Sequence, residues 1–359
     1  MDDCGGALIH GGDIQSFIKH YGSAPLDFSA NINPLGVPDG VRRAICEAAA
    51  SADRYPDPLC RDLRLEIANS EGVKPDQVFC AAGAAEIIYR LALALKPKHA
   101  LIPAPTFSEY ELALTRQGCM VEHHLLKAED EFALTEEILP KLHAGVDVVF
   151  LCNPNNPTGK LIDAALLRKI LGRCAEHNIQ LVVDECFLGF TPQPEAQTLV
   201  SMLSKYKKLV LLKAFTKLYG MAGVRLGYCI SNDGALIHRL YEAGPPWNVS
   251  TLAQQAGIAA LGEQDYLGKS RAIIASERPR LQAVLTALGL RVIESKANYI
   301  LFFSALPQLG EKLCQAGVLI RSCANFEGLD ARWYRVAVRT PLENDRLLLA
   351  IKQVVEGIQ

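Results

Sequence analysis

The run Lys208-Leu209-Val210-Leu211-Leu212-Lys213-Ala214-Phe215-Thr216-Lys217 places an apolar segment of strand length directly before a lysine, and Arg225 follows eight residues later. Comparable short apolar runs recur at 78–81, 100–102, 146–151, 179–183 and 226–230, with helix-like stretches between them. Continuous apolar strands separated by helices predict a mostly parallel sheet buried on both faces. In such sheets, ligands gather beyond the carboxyl ends of the strands.

After Trp247 the pattern changes to a long helical stretch over about 251–288, short strands at 297–302 and 334–338, and a closing helix from about residue 343. The expected organisation is therefore a large domain over 46–250 and a smaller α+β domain over 251–359, joined by the N-terminal segment 1–45. The 359 residues are 50% hydrophobic and 21% charged, an ordinary globular balance with enough chain for a large core. A net charge of -2 argues against nucleic acid as a partner, so local charge must hold any anionic ligand. The 11 cysteines include no C-x-x-C pair, which points to reduced, buried thiols rather than a zinc site or a disulfide framework. No apolar run approaches membrane-spanning length and no leader pattern opens the chain, so the expected compartment is the cytoplasm.

Two further signals share the position of Lys217. Asn153-Pro154-Asn155-Asn156-Pro157-Thr158-Gly159 follows one apolar run, and Asp184-Glu185-Cys186-Phe187 follows the next. Asn156, Asp184 and Lys217 lie 28 and 33 residues apart, about one strand-helix unit per step. Consecutive parallel strands would line the three side chains along one sheet edge.

This set matches the chemistry of pyridoxal 5'-phosphate (PLP). The Lys217 amine would form a Schiff base with the cofactor aldehyde, and Arg225 would meet its phosphate. Asp184 would pair with the pyridine nitrogen and keep it cationic, while Asn156 would donate to the ring's phenolic oxygen. Gly83, Ala84 and Ala85 open a helix after a strand, where backbone N–H groups can hold a phosphate. Phe107 follows another strand and is placed to stack on the pyridine ring.

With these motifs the chain resembles fold-type I PLP-dependent enzymes, the aspartate aminotransferase superfamily, over essentially its whole length. Two branches share the large-domain motifs: histidinol-phosphate aminotransferase and threonine-phosphate decarboxylase of cobalamin biosynthesis. The segments that distinguish them resemble the decarboxylase branch. They are His10-Gly11-Gly12-Asp13-Ile14, Asp27-Phe28-Ser29-Ala30-Asn31-Ile32-Asn33-Pro34-Leu35-Gly36, Pro246-Trp247-Asn248-Val249 and Leu319-Ile320-Arg321-Ser322-Cys323-Ala324-Asn325-Phe326-Glu327-Gly328-Leu329-Asp330, the last continuing into Tyr334-Arg335-Val336-Ala337-Val338-Arg339. Phe187 stands where aminotransferase relatives often carry a tyrosine that donates to the phenolate.

The resemblance implies roles for individual residues. Lys217 would be the covalent anchor and proton shuttle, with Thr216 and Arg225 beside the cofactor. Tyr55 would reach the cofactor phosphate of a neighbouring subunit, making the site a homodimer product. Arg335 would take the substrate carboxylate; Arg321, His10 and Asn31 would surround the substrate phosphate. The implied reaction is decarboxylation of O-phospho-L-threonine; O-phospho-L-serine decarboxylation and histidinol-phosphate transamination are the alternatives. Ala214 replaces a serine of the relatives, and Ala84 and Ala85 replace polar residues. Each neutral hydrogen bond so lost is worth roughly 0.5–1.5 kcal/mol.

Overall fold

The structure, a computed structural model, describes residues 10–357; residues 1–9 of the expected N-terminal segment lie outside the described residues. Among the described residues the main sheet has seven strands. Their order is Val78–Ala81, Gly227–Ser231, Leu209–Ala214, Gln180–Asp184, Val148–Cys152, His99–Ala104 and Met120–Leu125. Strand Gly227–Ser231 runs antiparallel to both its neighbours, and the remaining pairs are parallel.

Two-residue alternation explains why the central runs are continuously apolar. Val149, Leu151, Leu181, Val183, Leu209 and Leu211 enter the core on one face. Val148, Phe150, Val182, Val210 and Leu212 enter the core on the other. Burying each such side chain contributes about 1.5–3 kcal/mol, so both sides of these strands are committed to packing. Helix Ala164–Glu176 covers the first face, with its start capped by Asp163, whose carboxylate accepts from the amides of Ala165 and Leu166.

The strand Met120–Leu125 was not anticipated. It is the sheet's edge, paired only with His99–Ala104, and its Glu122, His123 and His124 break any apolar run. The stretch over 251–288 is two helices, Thr251–Leu261 and Gln264–Ala287, rather than one. The first packs on helix Asp39–Ala49 and the second on helix Pro341–Glu356, so the break at Gly262 lets each serve a different neighbour. No helix is long and apolar enough to cross a membrane among the described residues.

A second, antiparallel sheet is ordered Arg321–Ser322, Trp333–Ala337, Tyr299–Phe303, Arg291–Val292. The N-terminal strand Leu26–Asp27 pairs in parallel with Val318–Leu319, and Phe28 is buried among Tyr299, Ile300 and Val336. This pairing carries residues 28–33 to the carboxyl edge of the main sheet.

Gly83 and Gly227 meet at that edge. Gly83 has a φ of +98°, and a Cβ on it would come within 2.8 Å of the Arg225 guanidinium. A Cβ on Gly227 would lie 2.6 Å from the Ala84 backbone nitrogen. Gly227→Ala is therefore expected to lower unfolding free energy by about 1–3 kcal/mol through overpacking. It should also push the helix start at Ala84 outward, seen as a lower thermal midpoint together with weaker PLP retention.

Candidate active site

A cavity of about 430 Å³ opens at the carboxyl ends of the central strands, between the two sheets. Asn156, Asp184 and Lys217 all line it, as do Ala84, Ala85, Phe107, Thr216 and Arg225. His10, Asn31, Arg321 and Arg335 close it from the side of the smaller sheet. Gly83 caps the helix Ala84–Leu95 at its margin. Tyr55 lies elsewhere: it is 83% exposed and packs on Trp247 with ring centroids 4.8 Å apart.

Asp184 ends its strand opposite Cys152 on one side and Leu212 on the other. Its Oδ2 accepts from the Tyr110 hydroxyl at 2.6 Å and its Oδ1 from the Cys186 amide at 2.9 Å. Burial pushes its pKa up, and these donors oppose the shift by holding the carboxylate form. A buried carboxylate of this kind is stabilised further by a cationic N–H placed against it. Tyr110 is fully buried and stacks on Phe150. Sequence reading missed it, although it stands only three residues after Phe107.

Asn156 is oriented by a partner far away in the chain. Arg335 donates through Nη1 to the Asn156 side-chain oxygen, which leaves the amide N–H groups as donors toward the cavity. Arg335 also donates through Nη2 to the Ser29 carbonyl at 2.9 Å. Its buried Nε has no hydrogen-bond partner among the described residues, and neither does Asn31 Oδ1.

Lys217 lines the cavity and is partly buried. Burial, then the nearby Arg335 and Arg225 charges, bring its pKa from 10.5 down to about 8. Burial, then the charge of Arg335, brings Arg321 down to about 10. Arg321 donates to Asn325 Oδ1 at 2.6 Å, and its guanidinium lies over the Phe326 ring. Lys217, Arg225, Arg321 and Arg335 thus face only Asp184 and Glu109 among the cavity's carboxylates. The site attracts anions.

At the helix start, Glu86 returns to the Ala82 amide at 2.7 Å and is neutralised by Arg90. The helix Ala84–Leu95 begins at the cavity with the small side chains of Ala84 and Ala85, and the Arg225 guanidinium adjoins its capping residue Gly83. PLP fits these residues: a buried carboxylate for its ring nitrogen, an aimed amide for its hydroxyl, an amine of lowered pKa and a helix N-terminus for its phosphate. Phe187 lines the cavity and packs edge-on against Tyr299, offering no hydrogen bond. Glu109 was not anticipated, since no strand-end position marks it in the sequence; Ser29 and Phe326 line the cavity from within two of the segments that resemble the decarboxylase branch, where sequence reading assigned them no individual role. Among the described residues, no group of three or more His, Cys, Asp or Glu is placed to hold a metal.

Residues 23–351 match the family described as aminotransferase class I and II, and the chain belongs to that family. It is 38% identical to the threonine-phosphate decarboxylase of Salmonella typhimurium, over 97% of each chain. It is 30% identical to an adenosylcobalamin biosynthesis bifunctional protein of Leptospira interrogans, covering 97% of this chain and 41% of that longer one. Among solved structures, the histidinol-phosphate aminotransferase of Clostridium acetobutylicum superposes with a TM-score of 0.87 at 31% identity. That match covers 92% of this chain and 99% of the other.

The lowered pKa of Lys217 has a signed consequence for the cofactor-free protein. Below about pH 8 the buried ammonium carries its full penalty; between about 8 and 10.5 the unfolded chain binds the extra proton. Stability therefore gains from this group as pH rises through that window. Lys217→Met should be the more stable protein at pH 7, with its advantage shrinking toward pH 10.5 in paired denaturant titrations.

Proposed function

We propose that this chain is a PLP-dependent decarboxylase that converts O-phospho-L-threonine to 1-aminopropan-2-yl phosphate and carbon dioxide. Its product would supply the aminopropanol linker of cobalamin. The observation that carries this reading is the end-to-end likeness to the Salmonella decarboxylase. Phe187, which gives the ring oxygen no second donor, and the cationic cavity agree with it.

Bound PLP supplies an electron sink for the bond held perpendicular to its ring. The chain's own residues decide which bond that is. Asp184 would hold the proton on the ring nitrogen, and Asn156 would donate to the ring hydroxyl oxygen. Arg335 and Asn31 would border the substrate's acidic groups. Arg321 and His10 would anchor the phosphate and so fix rotation about Cα, directing the carboxylate out of plane. Lys217, in its ammonium form, would be the group placed to return a proton to Cα after carbon dioxide leaves. Discrimination against phosphoserine rests on one methyl group, about 1–3 kcal/mol.

A holoenzyme assay with phosphothreonine, phosphoserine, or histidinol phosphate plus 2-oxoglutarate separates the readings. Carbon dioxide release from phosphothreonine is expected; glutamate formation without carbon dioxide would overturn the decarboxylase reading. Lys217→Ala should lose the visible absorbance of the bound cofactor. Arg321→Ala should keep that absorbance yet raise KM by tenfold or more, on the order of one charged hydrogen bond.

The working unit proposed is a homodimer in the cytoplasm. Free thiols at ten cysteines among the described residues suit a reducing compartment. Tyr55 and Trp247 form an exposed aromatic pair, which supports Tyr55 reaching the partner's cofactor phosphate. If so, co-refolding inactive Tyr55→Ala with inactive Lys217→Ala should restore about one quarter of wild-type activity, from the hybrid's one intact site. Zero recovery alongside a monomeric sedimentation profile would rule this out.

A further inference from the structure

We infer that Glu109 is a positioning residue for phosphate recognition, clasping His10 across the mouth of the cavity and selecting which ring nitrogen a substrate meets. The inference rests on the site being one for a phosphorylated amino acid. His10 Nε2 and Glu109 Oε1 are 2.6 Å apart. A carboxylate only accepts, so Nε2 carries the proton in this contact and Nδ1 is left for a ligand. A phosphate dianion also offers only acceptors. It meets the ring on the Nδ1 side that Glu109 leaves open.

Glu109 lines the cavity with both carboxylate oxygens engaged, one by His10 and the other by a neighbouring hydroxyl. Its Oε2 accepts from the Tyr89 hydroxyl at 2.8 Å. Arg116 in turn donates to the Tyr89 oxygen at 3.2 Å and lies over the Tyr89 ring at 5.3 Å. On the other wall, the strap bearing His10 is tied down by the Gly12 amide, which donates to Ser29 Oγ at 2.8 Å. The Ser29 carbonyl is the one that Arg335 holds. The clasp therefore joins the strap beside Arg335 to the large-sheet helix Glu109–Thr115, with the cavity between them.

The test uses PLP-loaded wild type, Glu109→Gln, His10→Ala and the double variant. With phosphothreonine, Glu109→Gln should raise KM about tenfold while kcat changes by less than about threefold. The double variant should be no worse than His10→Ala alone, because Glu109 acts through His10. Additive losses in the double variant, or an unchanged KM, would overturn the inference. A substrate-free arm reads hydrogen exchange at the Gly11 and Gly12 amides, expected to quicken in Glu109→Gln; unchanged exchange also overturns it. If wild type releases no carbon dioxide from phosphothreonine, the decarboxylase reading fails while the exchange arm still decides the clasp. Should Glu109→Gln lose cofactor colour, Tyr89→Phe takes its place. That variant frees the carboxylate from its second tether and should raise KM in the same direction by a smaller factor; no rise would count against the clasp.

Discussion

The register of three neighbouring parallel strands carries the rest of the molecule's chemistry. Cys152, Asp184 and Leu212 stand side by side across Val148–Cys152, Gln180–Asp184 and Leu209–Ala214. The ladder continues past the strand ends: the Asn153 amide donates to the Asp184 carbonyl, and the Glu185 amide to the Leu212 carbonyl, each at 2.8 Å. Because side chains alternate between faces, a slip of one residue would exchange Asp184 for Glu185. The two carboxylates have unlike surroundings. Asp184 faces Tyr110 and the cavity, whereas Glu185 is buried on the opposite side with Thr198 and Lys213. Apolar packing on both faces of the sheet is what forbids the slip.

Around that edge the molecule concentrates positive charge in a place where water is scarce. Lys217 and Arg321 are both lowered by burial and by Arg335, so each cation makes its neighbours harder to keep charged. The same arrangement that costs stability without a ligand favours an anionic cofactor and substrate. Function and instability here share one source, as is usual where titratable groups are displaced from their ordinary values.

Much of this was legible before any coordinates. Asn156, Asp184 and Lys217 each follow an apolar run, and the sheet rule converts that position into proximity; Arg225 instead precedes the run 226–230, the strand antiparallel to its neighbours. The edge strand Met120–Leu125 was not legible, because one-sided pairing leaves its residues half exposed and free to be polar. The division of 251–288 into two helices was hidden for a related reason. Neither segment has a strong apolar stripe whose phase would mark a break at Gly262, and the separate packing partners of the two helices reveal it.

The sequence by itself determined the alternation of strands and helices, the membership of the aminotransferase class I and II family and the main polar groups at the strand ends. These depend on local spacing and on burial of short apolar runs. Tertiary structure decided how those groups are aimed. Tyr110 reaches Asp184 across 74 residues, His10 reaches Glu109 across 99, and Arg335 reaches Asn156 across 179. Contacts at such separations follow from how two sheets and an N-terminal strap are packed together. No spacing rule along the chain contains that geometry, since each depends on elements whose own positions are set by the rest of the core.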